Sequence, residues 1–402
     1  MLIRFVVALV AIELIVRVIR RLTTGKRVTE LWPMLEQRSL SFMSHPYALY
    51  VKRPNVRGGR YPTNSLGYTG TREVSTVCNP RSVRIYCVGG STMEGIDPAQ
   101  GPDSSWPSKL EDILSARLPG VRIECINAGT AGYTSAESLA EFLFRGIDLQ
   151  PDVLVVYHNV NDAWTCQMVD GFKTDYSHAR RHKPWTPVWT SRLPQLPWWG
   201  AYQLVRNVLS CWWVNRLPQD INDPGWYRSV RNWLMRYFGQ ADGLLYCVSD
   251  PPWRSPQAFD PRFTYAFERN ITNLVSAALT WGCTPVLVKW ECHWPSRFLP
   301  YYLERNERII DLYYQCLHAN NAVLARIATT FKGCQYLEVG PFEAEHFYDT
   351  IHFTASGLRE MTRRVADGIE PLVKAIAQSR DAGGADRTAT QASTMDVEEA
   401  AQ

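Results

Sequence analysis

The chain has ten cysteines but none of the paired short spacings that mark a zinc site or a small disulfide framework. Cys87, Cys125 and Cys283 sit within apolar runs, where a free thiol behaves as a small buried hydrophobe. That usage favours a reducing compartment. An excess of charge is missing too: 43 Lys and Arg against 39 Asp and Glu leave +4 over 402 residues, so no nucleic-acid partner is implied. No internal repeat is visible. The glycines Gly89, Gly90 and Gly95 fit neither a phosphate loop, which needs Gly-Lys-Ser/Thr, nor a dinucleotide fingerprint. Metal is poorly supported: Glu291, Cys292 and His293 are the densest ligand cluster and have no spaced partner motif.

Long apolar runs are equally scarce. The one candidate membrane segment, residues 2–22, is interrupted by Glu13 and Arg17, spaced to pair on one helical face. No small-residue cleavage site follows it. The expectation is a retained membrane anchor over residues 1–28, with an interfacial amphipathic helix as the alternative. Arg17, Arg20 and Arg21 at the end of the segment and Lys26 and Arg27 just beyond it stand against Arg4 at its start, which by the positive-inside rule puts the rest of the chain in the cytoplasm.

Beyond it, residues 29–80 carry five prolines and no sustained periodicity, and read as an extended arm leading into the domain. Within the arm, "YPTNSLGYTG" (61–70) has strong turn chemistry and no evident role. From residue 81 the pattern becomes strand, loop, helix. Strands are expected at 83–88, 121–126, 152–157, 285–290 and 334–339, and helices at 105–118, from the Thr134/Glu137 capping box, and near 264–281, 302–319 and 355–377. Such alternation predicts an α/β fold with a central parallel sheet and helices on both faces, over residues 81–378. Residues 166–262 interrupt the rhythm, and ten of the fifteen tryptophans fall between Trp164 and Trp253. These could stack on sugar rings, line an acyl pocket or dip into a membrane interface, or simply form a small core of the insertion. The tail, residues 379–402, has little to bury and is expected to be disordered.

In an open parallel sheet, ligands bind beyond the carboxyl ends of the strands. The residues following successive strands here are Gly89, Gly90 and Ser91; Asn127, Gly129 and Gly132; Asn159, Asn161 and Asp162; and, last, Asp349 and His352. Together they are what acyl transfer needs. Ser91 is a weak nucleophile until a base takes its proton, His352 can be that base, and Asp349 can hold the imidazole. The amides of Ser91 and Gly132 and the side chain of Asn161 can serve as an oxyanion hole. Taken singly, each has a plainer reading: Gly-Gly-Ser as a turn, Asn161-Asp162 as a helix cap, Asp349–His352 as a surface turn. The Gly-x-Ser-x-Gly elbow is excluded by Met93.

The four blocks "GGST", "NAGTAG", "NVND" and "DTIH" resemble those of the SGNH (GDSL-like) hydrolase family, which carries Ser, Gly, Asn and His in that order. Two positions depart from its pattern: Gly90 replaces the usual Asp before the serine, and Asn159 the usual Gly before Asn161. What the resemblance implies is a flavodoxin-like three-layer fold and cofactor-free ester hydrolysis or acyl transfer. The expected activity is a serine esterase acting on an ester-bearing small molecule, glycan or lipid, deacetylation being one case. O-acyl transfer to a glycan is the alternative, and a non-catalytic binding module on the same fold the third reading.

Overall fold

The computed structural model describes residues 2–24, 42–45, 47–56, 62–79, 81–95, 103–167, 172–176, 258–293 and 307–382. Most of the Trp-rich insertion lies outside these residues, as does the tail from 383 on, so the expectations for both fall there too.

Five strands make the sheet: β3 (Ser82–Gly89), β4 (Arg122–Asn127), β5 (Val153–Tyr157), β6 (Thr284–Val288) and β7 (Gln335–Leu337). All pair in parallel, in the spatial order β4-β3-β5-β6-β7. Every residue of β3 and β5 is buried, as continuous apolar runs covered on both faces must be. The pleat divides them between two cores. Ile85, Cys87, Val153, Val155, Val286 and Val288 face one way, against Trp106, Leu110 and Leu114 of α3 (Trp106–Arg117) and Met361, Val365 and Ile369 of α8 (Ala355–Ala382). Tyr86, Val88, Leu154, Val156 and Leu287 face the other, against Phe267, Ile271 and Leu274 of α6 (Arg262–Thr280) and Val323, Leu324 and Ile327 of α7 (Glu307–Thr330). Burying each such side chain contributes about 1.5–3 kcal/mol.

Helix starts follow their sequence signals. Ser105 caps α3, and the Thr134/Glu137 capping box opens α4 (Ser135–Glu141). Two helices outrun expectation at their C-termini. The apolar stripe of α7 continues through Val323, Leu324 and Ile327 to Thr330. Helix α8 reaches Ala382, past the boundary expected at 378, because Arg380 is held by the Ser82 carbonyl and the Asp152 carboxylate.

Residues 2–24 do form a helix, α1 (Leu2–Thr24), in which Arg17 and Glu13 pair at 2.7 Å. Among the described residues, however, no helix is long and apolar enough to cross a membrane. The charges on α1 dilute its apolar run too far. This overturns the expected N-terminal anchor, the membrane as a partner, and the cytoplasmic placement derived from the anchor.

The arm is more than a lead-in. Strands β1 (Phe42–His45) and β2 (Leu49–Lys52) form an antiparallel hairpin. In the 61–70 turn segment, Asn64 Oδ1 accepts from the amides of Leu66 (3.1 Å) and Tyr68 (3.0 Å), and Thr69 then bridges antiparallel to Asn127 at the end of β4. Hairpin and turn both reach the carboxyl edge of the sheet.

Candidate active site

Sheet order reverses between β3 and β5, the place where, in an open parallel sheet, loops leaving adjacent strands diverge and leave a crevice. The turn after β3 enters a one-turn helix, α2 (Ser91–Glu94), with Ser91 at its first position. The two glycines before it are required by close approach rather than by a left-handed backbone. Gly90 has φ −84°, and a Cβ there would lie 2.6 Å from Asn161 Nδ2. At Gly89 a Cβ would strike Met93 at 2.4 Å. An Asp at position 90 would thus displace the Asn161 carboxamide unless the loop shifted.

Ser91 Oγ lies 2.9 Å from His352 Nε2, and Asp349 Oδ2 lies 2.7 Å from His352 Nδ1. The second Asp349 oxygen accepts from the amides of Ile351 (2.8 Å) and His352 (2.7 Å). Burial alone would raise the Asp349 carboxyl. The hydrogen bond and charge of His352, with these two amides, outweigh it and hold the group below its ordinary range. The loop bearing the pair is clamped by Phe347 and Phe353, which bridge and stack at 4.7 Å, and by His293 N donating to Thr350 O at 3.0 Å. Tyr348, 45% exposed, stacks parallel on the His352 ring at 5.6 Å and 9°.

The other two blocks close on the same crevice. Asn161, on α5 (Val160–Gln167), donates one Nδ2 hydrogen to Tyr133 O at 2.8 Å, which orients the carboxamide and leaves its second hydrogen beside Gly90. Gly132 has φ +81°, a conformation that side chains resist, and a Cβ there would also lie 2.8 Å from Tyr50 Oη. Asp162 is turned away from the crevice. It is fully buried and accepts from Ser135 N (3.0 Å), Ser135 Oγ (2.5 Å) and Tyr176 Oη (3.0 Å), anchoring the start of α4. Asn159, where the resembling block has Gly, is buried as well. Its amide donates to Leu317 O (2.8 Å) and accepts from Asn320 (2.9 Å), tying the β5 turn to α7.

Ser91, Gly132, Asn161, Asp349 and His352 are therefore brought together. Tyr50, Lys52 and Tyr348 were missed by sequence reasoning, and no local pattern marks them. Among the described residues no His/Cys/Asp/Glu group has the geometry to hold a metal ion.

Residues 87–266 match the model of the GDSL-like Lipase/Acylhydrolase family. Comparison with curated proteins gives no match. Among solved structures the chain is similar to a GDSL-like lipase from Bacteroides thetaiotaomicron, at 13% identity over 72% of this chain and 88% of that one, TM-score 0.36. It is also similar to an acetyl xylan esterase variant from Geobacillus stearothermophilus, at 13% identity over 71% and 94%, TM-score 0.37. A lipolytic protein of the G-D-S-L family from Desulfitobacterium hafniense gives 9% identity over 71% and 98%, TM-score 0.37. The match over residues 87–266, on a five-stranded parallel sheet, makes that stretch similar to the GDSL-like lipases/acylhydrolases and supports a hydrolytic serine esterase.

Proposed function

We propose that Ser91 is the nucleophile of an ester-cleaving reaction run by residues 81–378, with 166–262 as an insertion in that unit. His352 Nε2 takes the Ser91 proton as Oγ attacks the ester carbonyl, and returns it to the departing alcohol. Asp349 holds Nδ1 protonated and stabilises the imidazolium. The developing oxyanion is received by the amides of Ser91 and Gly132 and the free Asn161 Nδ2 hydrogen. Water, activated by the same imidazole, then attacks the acyl-enzyme and releases the acid. The observation that carries this reading is the unbroken Ser91–His352–Asp349 chain, at 2.9 and 2.7 Å.

The ester belongs to a small molecule, a glycan or a lipid. Passing the acyl group to a sugar hydroxyl instead of water would use the same groups. The test is turnover of a short-chain nitrophenyl ester by wild type and Ser91→Ala, with and without an added glycan. Serine-dependent release of acid is expected. Activity that survives Ser91→Ala unchanged would overturn the assignment, and acylated glycan forming faster than free acid would replace hydrolysis by transfer.

A further inference from the structure

We propose that Lys52, delivered by the N-terminal arm, is a positioning residue for this site: it fastens the turn carrying Ser91 to the loop carrying Gly132. The proposal rests on Ser91 and Gly132 having the roles given above.

Lys52 ends β2 and is 4% exposed. Its ammonium has three hydrogens and three partners. One is Glu94 Oε1 at 2.7 Å, and Glu94, fully buried, lies one turn after Ser91 on α2. The others are Thr69 Oγ1, also from the arm, and the carbonyl of Gly129, three residues before Gly132. Turn and loop are in hard contact at this point. A Cβ on Gly129 would lie 2.6 Å from Glu94 N, and Asn127 donates to the Glu94 carbonyl at 3.2 Å. The arm also grips the loop immediately on either side of Gly132: Tyr50 Oη donates to Ala131 O at 2.6 Å, and Tyr133 Oη donates to Tyr50 O.

A buried ion pair is no route to stability in itself, since desolvation consumes what attraction provides. What this one supplies is direction, because one small cation sets three acceptors from three chain segments around a single point. Neither Glu94 carboxylate oxygen has a hydrogen-bond donor among the described residues, so the ion pair with Lys52 at 2.7 Å is what balances this carboxylate beneath Ser91. Shifting the ammonium therefore moves the nucleophile and an oxyanion donor relative to each other. Misplacement of that kind lowers kcat rather than raising KM.

The test uses the full chain and compares wild type with Lys52→Met combined with Glu94→Gln, which removes both charges and leaves none buried unpaired. Readouts are kcat and KM on a nitrophenyl acetate, the rate of labelling by a serine-directed phosphonate, and thermal melting. The paired variant is expected to melt near wild type and keep its KM, while kcat and labelling rate fall together by about tenfold or more, some 1.4 kcal/mol of transition-state stabilisation. A folded paired variant with unchanged kcat and labelling overturns the proposal. Should that variant not fold, Lys52→Arg decides, because a guanidinium keeps the charge but cannot aim three hydrogens from one atom: lowered kcat at unchanged melting supports the role, and unchanged kcat refutes it. A wild type that is neither active nor labelled would instead overturn the reading of Ser91, and this proposal with it.

Discussion

Among the described residues two Ser–His–Asp sets occur, one facing the crevice and one turned into the interior. In the inner set, Ser138 Oγ lies 2.7 Å from His158 Nε2, but Asp162 Oδ2 is 3.8 Å from His158 Nδ1, too far for a hydrogen bond. All three side chains are almost wholly buried. Burial pushes His158 down to about 3 and Asp162 up to about 7, in the latter case outweighing the bonds from Ser135 and Tyr176. In the outer set the Asp349 and His352 side chains keep 29% and 27% exposure, and the Asp349 carboxyl is held below its ordinary range. The same residue types thus make a partly exposed hydrogen-bonded chain with a charged carboxylate at the sheet edge and a packed polar knot in the interior. Solvation and loop geometry decide, not composition.

Removing each serine separates the sets most strongly. Ser91→Ala is expected to lower kcat on a short-chain ester by about 10⁴–10⁶. Ser138→Ala should leave kcat nearly unchanged and cost about 1–3 kcal/mol of stability through the unpaired His158 nitrogen. Next is Asp349→Asn, which leaves the shape intact but favours the wrong imidazole tautomer; kcat should fall by about 10³–10⁴ with little change in melting temperature.

Much of this was legible in the sequence. Buried parallel strands are continuous apolar runs, so "VRIYCV" and "DVLVVY" announced β3 and β5 within a residue or two, and the loops after them announced the candidate residues. The arm was not legible, because Lys52, Tyr50 and Thr69 acquire their role only by meeting residues 127–133, some 60–80 positions away. Nor was the inner set, since Asp162 looked like a helix cap or half of the Asn-Asp block and nothing local revealed Ser138 beside His158. The anchor expected at α1 fails for the opposite reason: its apolar pattern is local, and its own charges dilute it.

The pH dependence of stability sharpens the comparison further. Asp162 has a raised folded value, so its contribution is fully present below its ordinary 3.8 and is lost as pH rises toward about 7. His158 has a lowered folded value, so its contribution is present above its ordinary 6.5 and is lost as pH falls toward about 3. The two slopes oppose each other between pH 4 and 6.5. Relative to wild type, Asp162→Asn should therefore gain stability as pH rises through this window, and His158→Gln should lose it, both measured by denaturant unfolding. Parallel profiles would mean that the inner pair is not held neutral by burial.

The smallest effect is expected at Tyr348, whose ring covers one face of His352. Loss of an aromatic stack of this kind contributes about 0.5–1.5 kcal/mol, so Tyr348→Ala should lower kcat/KM by about 2–10-fold, whereas Tyr348→Phe should be near wild type.

The central claim, that the outer set alone is reactive, is tested most directly by labelling the full chain with a serine-directed phosphonate and locating the adduct by peptide mass spectrometry. A single adduct on Ser91, absent in Ser91→Ala and retained in Ser138→Ala, is the predicted result. An adduct on Ser138, or full labelling of Ser91→Ala, would contradict it.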